Sequence, residues 1–125
     1  MAVETKEEIL SIKIDTEYCN RKILLLSLSG ILNTFSSVKL VKSIPQEFYD
    51  ETPNFVFNFE KLNFVDSMGL SSLVTIFKKL EKKQGTICMI NVKESIRTVF
   101  EITRIIEKIP IFSSIEEYIQ KLENN

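Results

Sequence analysis

The 125-residue sequence contains no histidine. A histidine base, a Ser-His-Asp triad and a His-ligated metal are therefore excluded. The two cysteines, Cys19 and Cys88, stand far apart and cannot form a cysteine-rich zinc site. Two lone thiols in a chain of this size suit a reducing compartment, and no disulfide between them is expected. Neither G-x-x-x-x-G-K-[ST] nor G-x-G-x-x-G occurs, so nucleotide binding through such loops is unsupported. No apolar run approaches the ~20 residues of a membrane-crossing helix. The longest, Ile23 to Leu26, is strand-sized, and the polar, acidic start MAVETKEEIL is unlike a signal peptide. Large charge of either sign is also missing: 16 Lys and Arg face 17 Asp and Glu, for a net charge of -1. Such a chain has no bulk attraction to nucleic acid or anionic membrane. Lys78, Lys79, Lys82 and Lys83 cluster, but Glu81 interrupts them, and they read as a solvated helix face. A cytoplasmic protein is expected, with no cofactor, no metal, no nucleic-acid partner and no membrane insertion.

What is present fits one globular domain, with 44% hydrophobic and 26% charged residues. Residues 9–18 alternate, with Leu10, Ile12, Ile14, Thr16 and Tyr18 on one face, which predicts a half-buried strand. Cys19-Asn20-Arg21 reads as a tight turn, and residues 22–29, apolar at both parities, as a deeply buried strand. Asn33 or Thr34 is positioned to cap a helix whose apolar face is Phe35, Val38, Val41 and Ile44, ended or kinked by Pro45. Asn54 to Phe59 is a third strand, Lys61 to Val65 a connector. Leu70, Leu73, Val74, Phe77 and Leu80 mark a long helix stopped near Gly85. Thr86 to Ile90 is the next strand. Asn91 with Glu94 resembles a capping box for a helix carrying Ile96, Val99 and Phe100. Ile111-Phe112 is a last short strand, and Ser114 with Glu117 starts a terminal helix. Only residues 1–7 and Asn124-Asn125 look frayed. Strands alternating with helices imply parallel crossovers, and the leading hairpin makes the sheet mixed.

Asp66-Ser67-Met68-Gly69-Leu70 joins a buried strand to this long helix. Its plain reading is a capped helix, since Asp and Ser are favoured caps. Its functional reading uses the same geometry. A helix N-terminus offers unsatisfied N–H groups and partial positive charge, so it tolerates a phosphate on Ser67. That phosphate would add a charge of about −1.5 to −2 and strand it in any apolar interface. Gly69, lacking a side chain, would let a partner's backbone approach. A Ser67 nucleophile has no histidine base, and nothing indicates Lys61 in that role, so an enzyme is not expected.

This segment, with Phe55-Val56-Phe57-Asn58-Phe59 and Leu62-Asn63-Phe64-Val65 before it, Leu26 to Asn33 upstream and Gly85 to Asn91 downstream, resembles the STAS domain. The likeness spans residues 9–122 and is to the stand-alone bacterial anti-sigma factor antagonists. It implies one α/β domain with a four- or five-stranded mixed sheet and about four helices packed mainly on one side. It also implies that the unphosphorylated protein binds an anti-sigma factor that is itself a serine kinase, and so releases a sigma factor. Phosphorylation at Ser67 ends the binding, and a serine phosphatase restores it. The partner-binding residues it implies are Asn33, Thr34, Asp66, Ser67, Met68 and Gly69. Three positions depart from the pattern: Asn33 replaces an aspartate, Met68 a small residue, and Arg104-Ile105 a Gly-Leu pair whose loss reads as structural. STAS-like domains that do not switch, as scaffolds in signalling assemblies or subunits of lipid-transport complexes, are the alternative.

Overall fold

A computed structural model of the chain describes residues 9–124. The expected fraying of residues 1–7 and Asn125 lies outside that range. Five strands, β1 (Leu10–Asp15), β2 (Ile23–Leu32), β3 (Asn54–Val65), β4 (Thr86–Ile90) and β5 (Ile111–Phe112), form one sheet in the order β1-β2-β3-β4-β5. β1 runs antiparallel to β2, and every later pair is parallel. The helices are α1 (Thr34–Ser43), α2 (Gln46–Glu51), α3 (Ser67–Lys82), α4 (Glu94–Ile102) and α5 (Ile115–Glu123). None of the described helices is long and apolar enough to cross a membrane.

The two faces of the sheet are covered unequally. Leu24, Leu26, Leu28, Phe55, Phe57 and Phe59 point to one side, where Leu40 of α1, Tyr49 of α2, Leu73, Ile76 and Leu80 of α3, and Phe100 of α4 meet them. Phe59 stacks between Phe57 and Phe100, with ring centroids 5.8 and 6.0 Å away. Each such fully buried side chain contributes about 1.5–3 kcal/mol. On the other side Ile23, Val56, Cys88 and Ile90 are covered by Ile115 and Tyr118 of α5, with Tyr18, Phe112, Ile119 and Leu122 packed around them. The Tyr118 hydroxyl bonds to that of Thr86, which in turn donates to Asn54 Oδ1 at 2.9 Å. The apolar parity of β2 and β3 on both faces thus reflects helices on both sides. Four of the five described helices lie on one side, as the family resemblance implies.

Several boundaries differ from expectation. β1 ends at Asp15, and Cys19–Arg21 is a 3-10 turn closed by Lys22 in the left-handed region at φ 63°. Both cysteines are free. A short α2 follows Pro45. β3 does not stop at Phe59, because β2 is long enough to pair with its second half: Ser29 lies beside Lys61, Gly30 beside Leu62, Ile31 beside Phe64 and Leu32 beside Val65. Residues 61–65 are therefore strand, not connector. Asn91 does not cap α4. It adopts φ 57° and its side chain donates to Asn58 Oδ1, while Lys93 precedes the helix without a side-chain cap. Gly85 is required by a close approach, since a Cβ there would lie 1.9 Å from the Pro53 carbonyl oxygen; the left-handed residue after α3 is Gln84.

α1 is turned the other way from the expected orientation. Its buried residues are Ser36, Ser37 and Leu40, whereas Phe35 is 79% and Val38 52% exposed. The cap fixes this rotation. Asn33 Oδ1 accepts from the amides of Phe35 and Ser36, while Ser36 Oγ accepts from the Asn33 amide and donates to the Ile31 carbonyl at 2.7 Å. Ser36 is thereby held inward, and Phe35 must face out. A stripe repeating every three residues falls about 60° short of a full turn at each step. Phe35 and Ile44, at its two ends, consequently occupy opposite sides of the helix.

Candidate functional site

Asp66 leaves the end of β3 with its amide bonded to the Leu32 carbonyl at 3.1 Å. Its backbone is extended, as a helix-capping residue requires. One carboxylate oxygen accepts from the Gly69 amide at 2.8 Å, which caps α3. The other accepts from the Thr34 amide at 3.0 Å and the Thr34 hydroxyl at 3.2 Å. A single side chain therefore joins the starts of α3 and α1. The Gly69 amide holds the Asp66 carboxyl below the usual carboxylate range, against some desolvation, and the Thr34 donors add to that effect.

Ser67 is the first residue of α3 and is exposed. Its hydroxyl takes part in no hydrogen bond among the described residues, because the capping role belongs to Asp66. The oxygen is open to solvent beside the positive end of a 16-residue helix. Among the described residues no lysine or carboxylate bonds to it. Lys61, the one lysine considered as its base, lies beside Ser29 in the sheet.

Gly69 is buried, and its missing side chain serves the interior. A Cβ there would stand 2.4 Å from the Leu32 carbonyl oxygen and 2.9 Å from side-chain carbons of Leu32 and Val65. This corrects the expectation that Gly69 keeps the outside open to a partner; instead it lets α3 start directly against the end of β2. Asn33 has its carboxamide oxygen turned into the α1 cap, and Thr34 is committed to Asp66. All six residues singled out in the sequence are brought to one end of the sheet, but only Ser67 and Met68 offer free side chains outward.

The sequence reading missed the apolar surface around them. Seven large hydrophobic side chains are exposed among the described residues, and six gather at this end: Ile9, Ile31, Phe35, Val38, Phe64 and Met68. Ile31 and Phe64 are direct neighbours across β2 and β3, and the Ile31 amide donates to the Ile9 carbonyl. Val38, Val41 and Met68 line an apolar groove between α1 and α3. The surface appears in the sequence only as a stripe of threes that cannot all be buried; Phe64 shares the parity of buried Leu62 and is turned outward by the register irregularity between Gly30 and Ile31.

Known proteins share this architecture. A Bordetella bronchiseptica protein provisionally named anti-sigma factor antagonist BtrV is 24% identical over 94 residues, 75% of this chain and 81% of its own length. The crystal structure of an anti-sigma factor antagonist from Mycobacterium paratuberculosis superposes with a TM-score of 0.75 at 18% identity, over 91% of this chain and 94% of that one. The Bacillus cell-fate determinant SpoIIAA, solved in its phosphorylated form, gives 0.65 at 22% identity, over 90% and 99%. The model of the STAS domain matches residues 13–118, and the chain belongs to that family.

Proposed function

We propose that this protein is an anti-sigma factor antagonist whose binding is switched by phosphorylation of Ser67. In this reading the unmodified protein, in the cytoplasm, holds an anti-sigma factor that is also a serine kinase, and a sigma factor is released. The kinase transfers a phosphoryl group from ATP to the Ser67 hydroxyl, and a serine phosphatase later removes it. The antagonist itself catalyses nothing.

The observation that carries the reading is the placement of Ser67. Its unbonded, exposed hydroxyl lies at the end of the sheet that carries Phe35, Phe64 and Met68, three of the seven exposed large hydrophobic residues described. An apolar surface of this kind marks a protein interaction site. A phosphate on Ser67 is tolerated by the isolated domain, since the start of α3 favours an anion. In a complex the same dianion would be stranded beside Asp66 and buried apolar side chains. Uncompensated buried charge costs several kcal/mol, and each 1.4 kcal/mol is a tenfold loss of affinity.

Intact-mass spectrometry after incubation with the cognate kinase and ATP is expected to show one added phosphoryl group in the wild type and none in Ser67→Ala. Ser67→Asp is expected to lose affinity for that kinase in calorimetry while melting near the wild-type temperature. Phosphorylation persisting in Ser67→Ala would overturn the reading, as would undiminished binding by Ser67→Asp.

A further inference from the structure

We propose that the cleft between α3 and the bend after α4 binds a small amphiphilic phosphate, a phosphate head carried on an apolar body. The cleft is open to solvent along its length and holds about 380 Å³, within the range of small-molecule sites. Leu70 and Val74 of α3 and Ile105 form its apolar wall, while Lys78, Arg104 and Lys108 stand around it. α4 ends at Ile102, and Arg104 turns the chain in the left-handed region at φ 62°. That turn drives Ile105 into the core, where it is 5% exposed, and leaves the space between it and α3 open.

Charge selects the ligand. Arg104 Nε meets Glu107 Oε2 at 2.8 Å, leaving the rest of its guanidinium free. Lys78 and Lys108 have no ion pair among the described residues. Three exposed cations thus stand along the cleft of a chain whose net charge is -1, and Glu107, the partner of Arg104, is not part of its lining. Cations converging on a low-dielectric wall attract an anion, and the wall rewards an apolar body attached to it. The left-handed conformation is unfavourable for any residue but glycine and, less so, asparagine. Arg104 adopts it, as do Lys22, Gln84 and Asn91, so glycine at position 104 should relieve that cost. This site is distinct from the Ser67 hydroxyl and does not depend on the switching reading.

The test is an amide NMR titration of the full chain with decyl phosphate, alongside inorganic phosphate and decanol as head-only and body-only probes. Decyl phosphate is expected to shift residues 70–78 and 103–108 and to bind at least tenfold tighter than either part. Arg104→Gly is expected to weaken it at least tenfold while melting at the wild-type temperature or higher. Lys78→Glu is expected to weaken it as well, and Ser67→Asp to leave it unchanged. Shifts elsewhere, no saturation, inorganic phosphate binding equally well, or undiminished binding by Arg104→Gly would overturn the proposal. Co-sedimentation with phosphatidylcholine vesicles containing phosphatidic acid would also overturn it, by replacing a free ligand with a membrane surface.

Discussion

Replacing Gly69 with alanine tests whether the start of α3, with Ser67, is held by close contact with β2. The added methyl would lie 2.4 Å from the Leu32 carbonyl oxygen. That oxygen cannot turn away, because it already accepts the Asp66 amide. The Leu32 and Val65 side-chain carbons, each 2.9 Å away, have little room either, since both residues are buried. The start of α3 must therefore retreat by about 1 Å to reach an ordinary contact. Overpacking of this kind costs ~1–3 kcal/mol. Alanine's better helix propensity returns up to ~1 kcal/mol, for a net loss of up to ~2 kcal/mol when the full return is counted. For a chain of this length that lowers Tm by up to roughly 10 °C. The retreat also pulls Asp66 from Thr34, so the Thr34 amide resonance should move and phosphorylation of Ser67 should slow. Urea unfolding, calorimetry and a kinase time course measure the three effects. An alanine variant as stable as the wild type, with an unmoved Thr34 resonance, would refute the packing argument.

Two further predictions concern the same end of the molecule. Val38→Asp, alone or with Phe35→Ala, should change stability by no more than ~0.5 kcal/mol, yet weaken kinase binding at least tenfold; Leu40→Ala on the buried side of α1 should instead cost ~2–5 kcal/mol. Unimpaired binding by the double variant would remove the apolar surface from the interface. The Asp66 carboxyl is held below its ordinary value of 3.8, so its stabilising contribution is complete above that pH and is lost as pH falls through the folded-state value. The Tm advantage of wild type over Asp66→Asn should accordingly shrink between pH 5 and pH 2, and an advantage unchanged by acid would show that the charged form is not favoured by folding.

The succession of strands and helices along the chain, and the start of the long helix after Asp66, are readable because their signals are local. β4 is a short apolar run between Gly85 and Asn91, and Asp66 stands where an extended strand meets an amphipathic period. The orientation of α1 was not readable, because it is set by Ser36 reaching back to Ile31, a contact across the turn that outweighs a three-residue stripe. Lys61 to Val65 looked like a connector because its alternation is broken by an irregularity in register, and only the length of β2 reveals it as strand. The capping box expected at Asn91 failed because Asn58 on the adjacent strand claims that side chain. At Arg104 the sequence offered a Gly-Leu pair replaced by Arg-Ile; the backbone there has φ 62°, the region glycine enters most easily, so the position is governed by the turn. The part of the apolar rim on α1 is hidden for the same reason as the orientation of that helix: only the rotation fixed by the cap turns Phe35 and Val38 outward.

Spatial order in the sheet equals chain order, and this bears on biogenesis. During synthesis each new strand finds its neighbour already made and joins a growing edge, without waiting for a distant segment. The last pairing, Met89 with Ile111 and Ile90 with Phe112, closes that edge just before α5 covers Val56 and Cys88. A ribosome stalled before Ile111 would therefore release a sheet with an open β4 rim and one bare greasy side, a substrate for chaperones or a seed for aggregation.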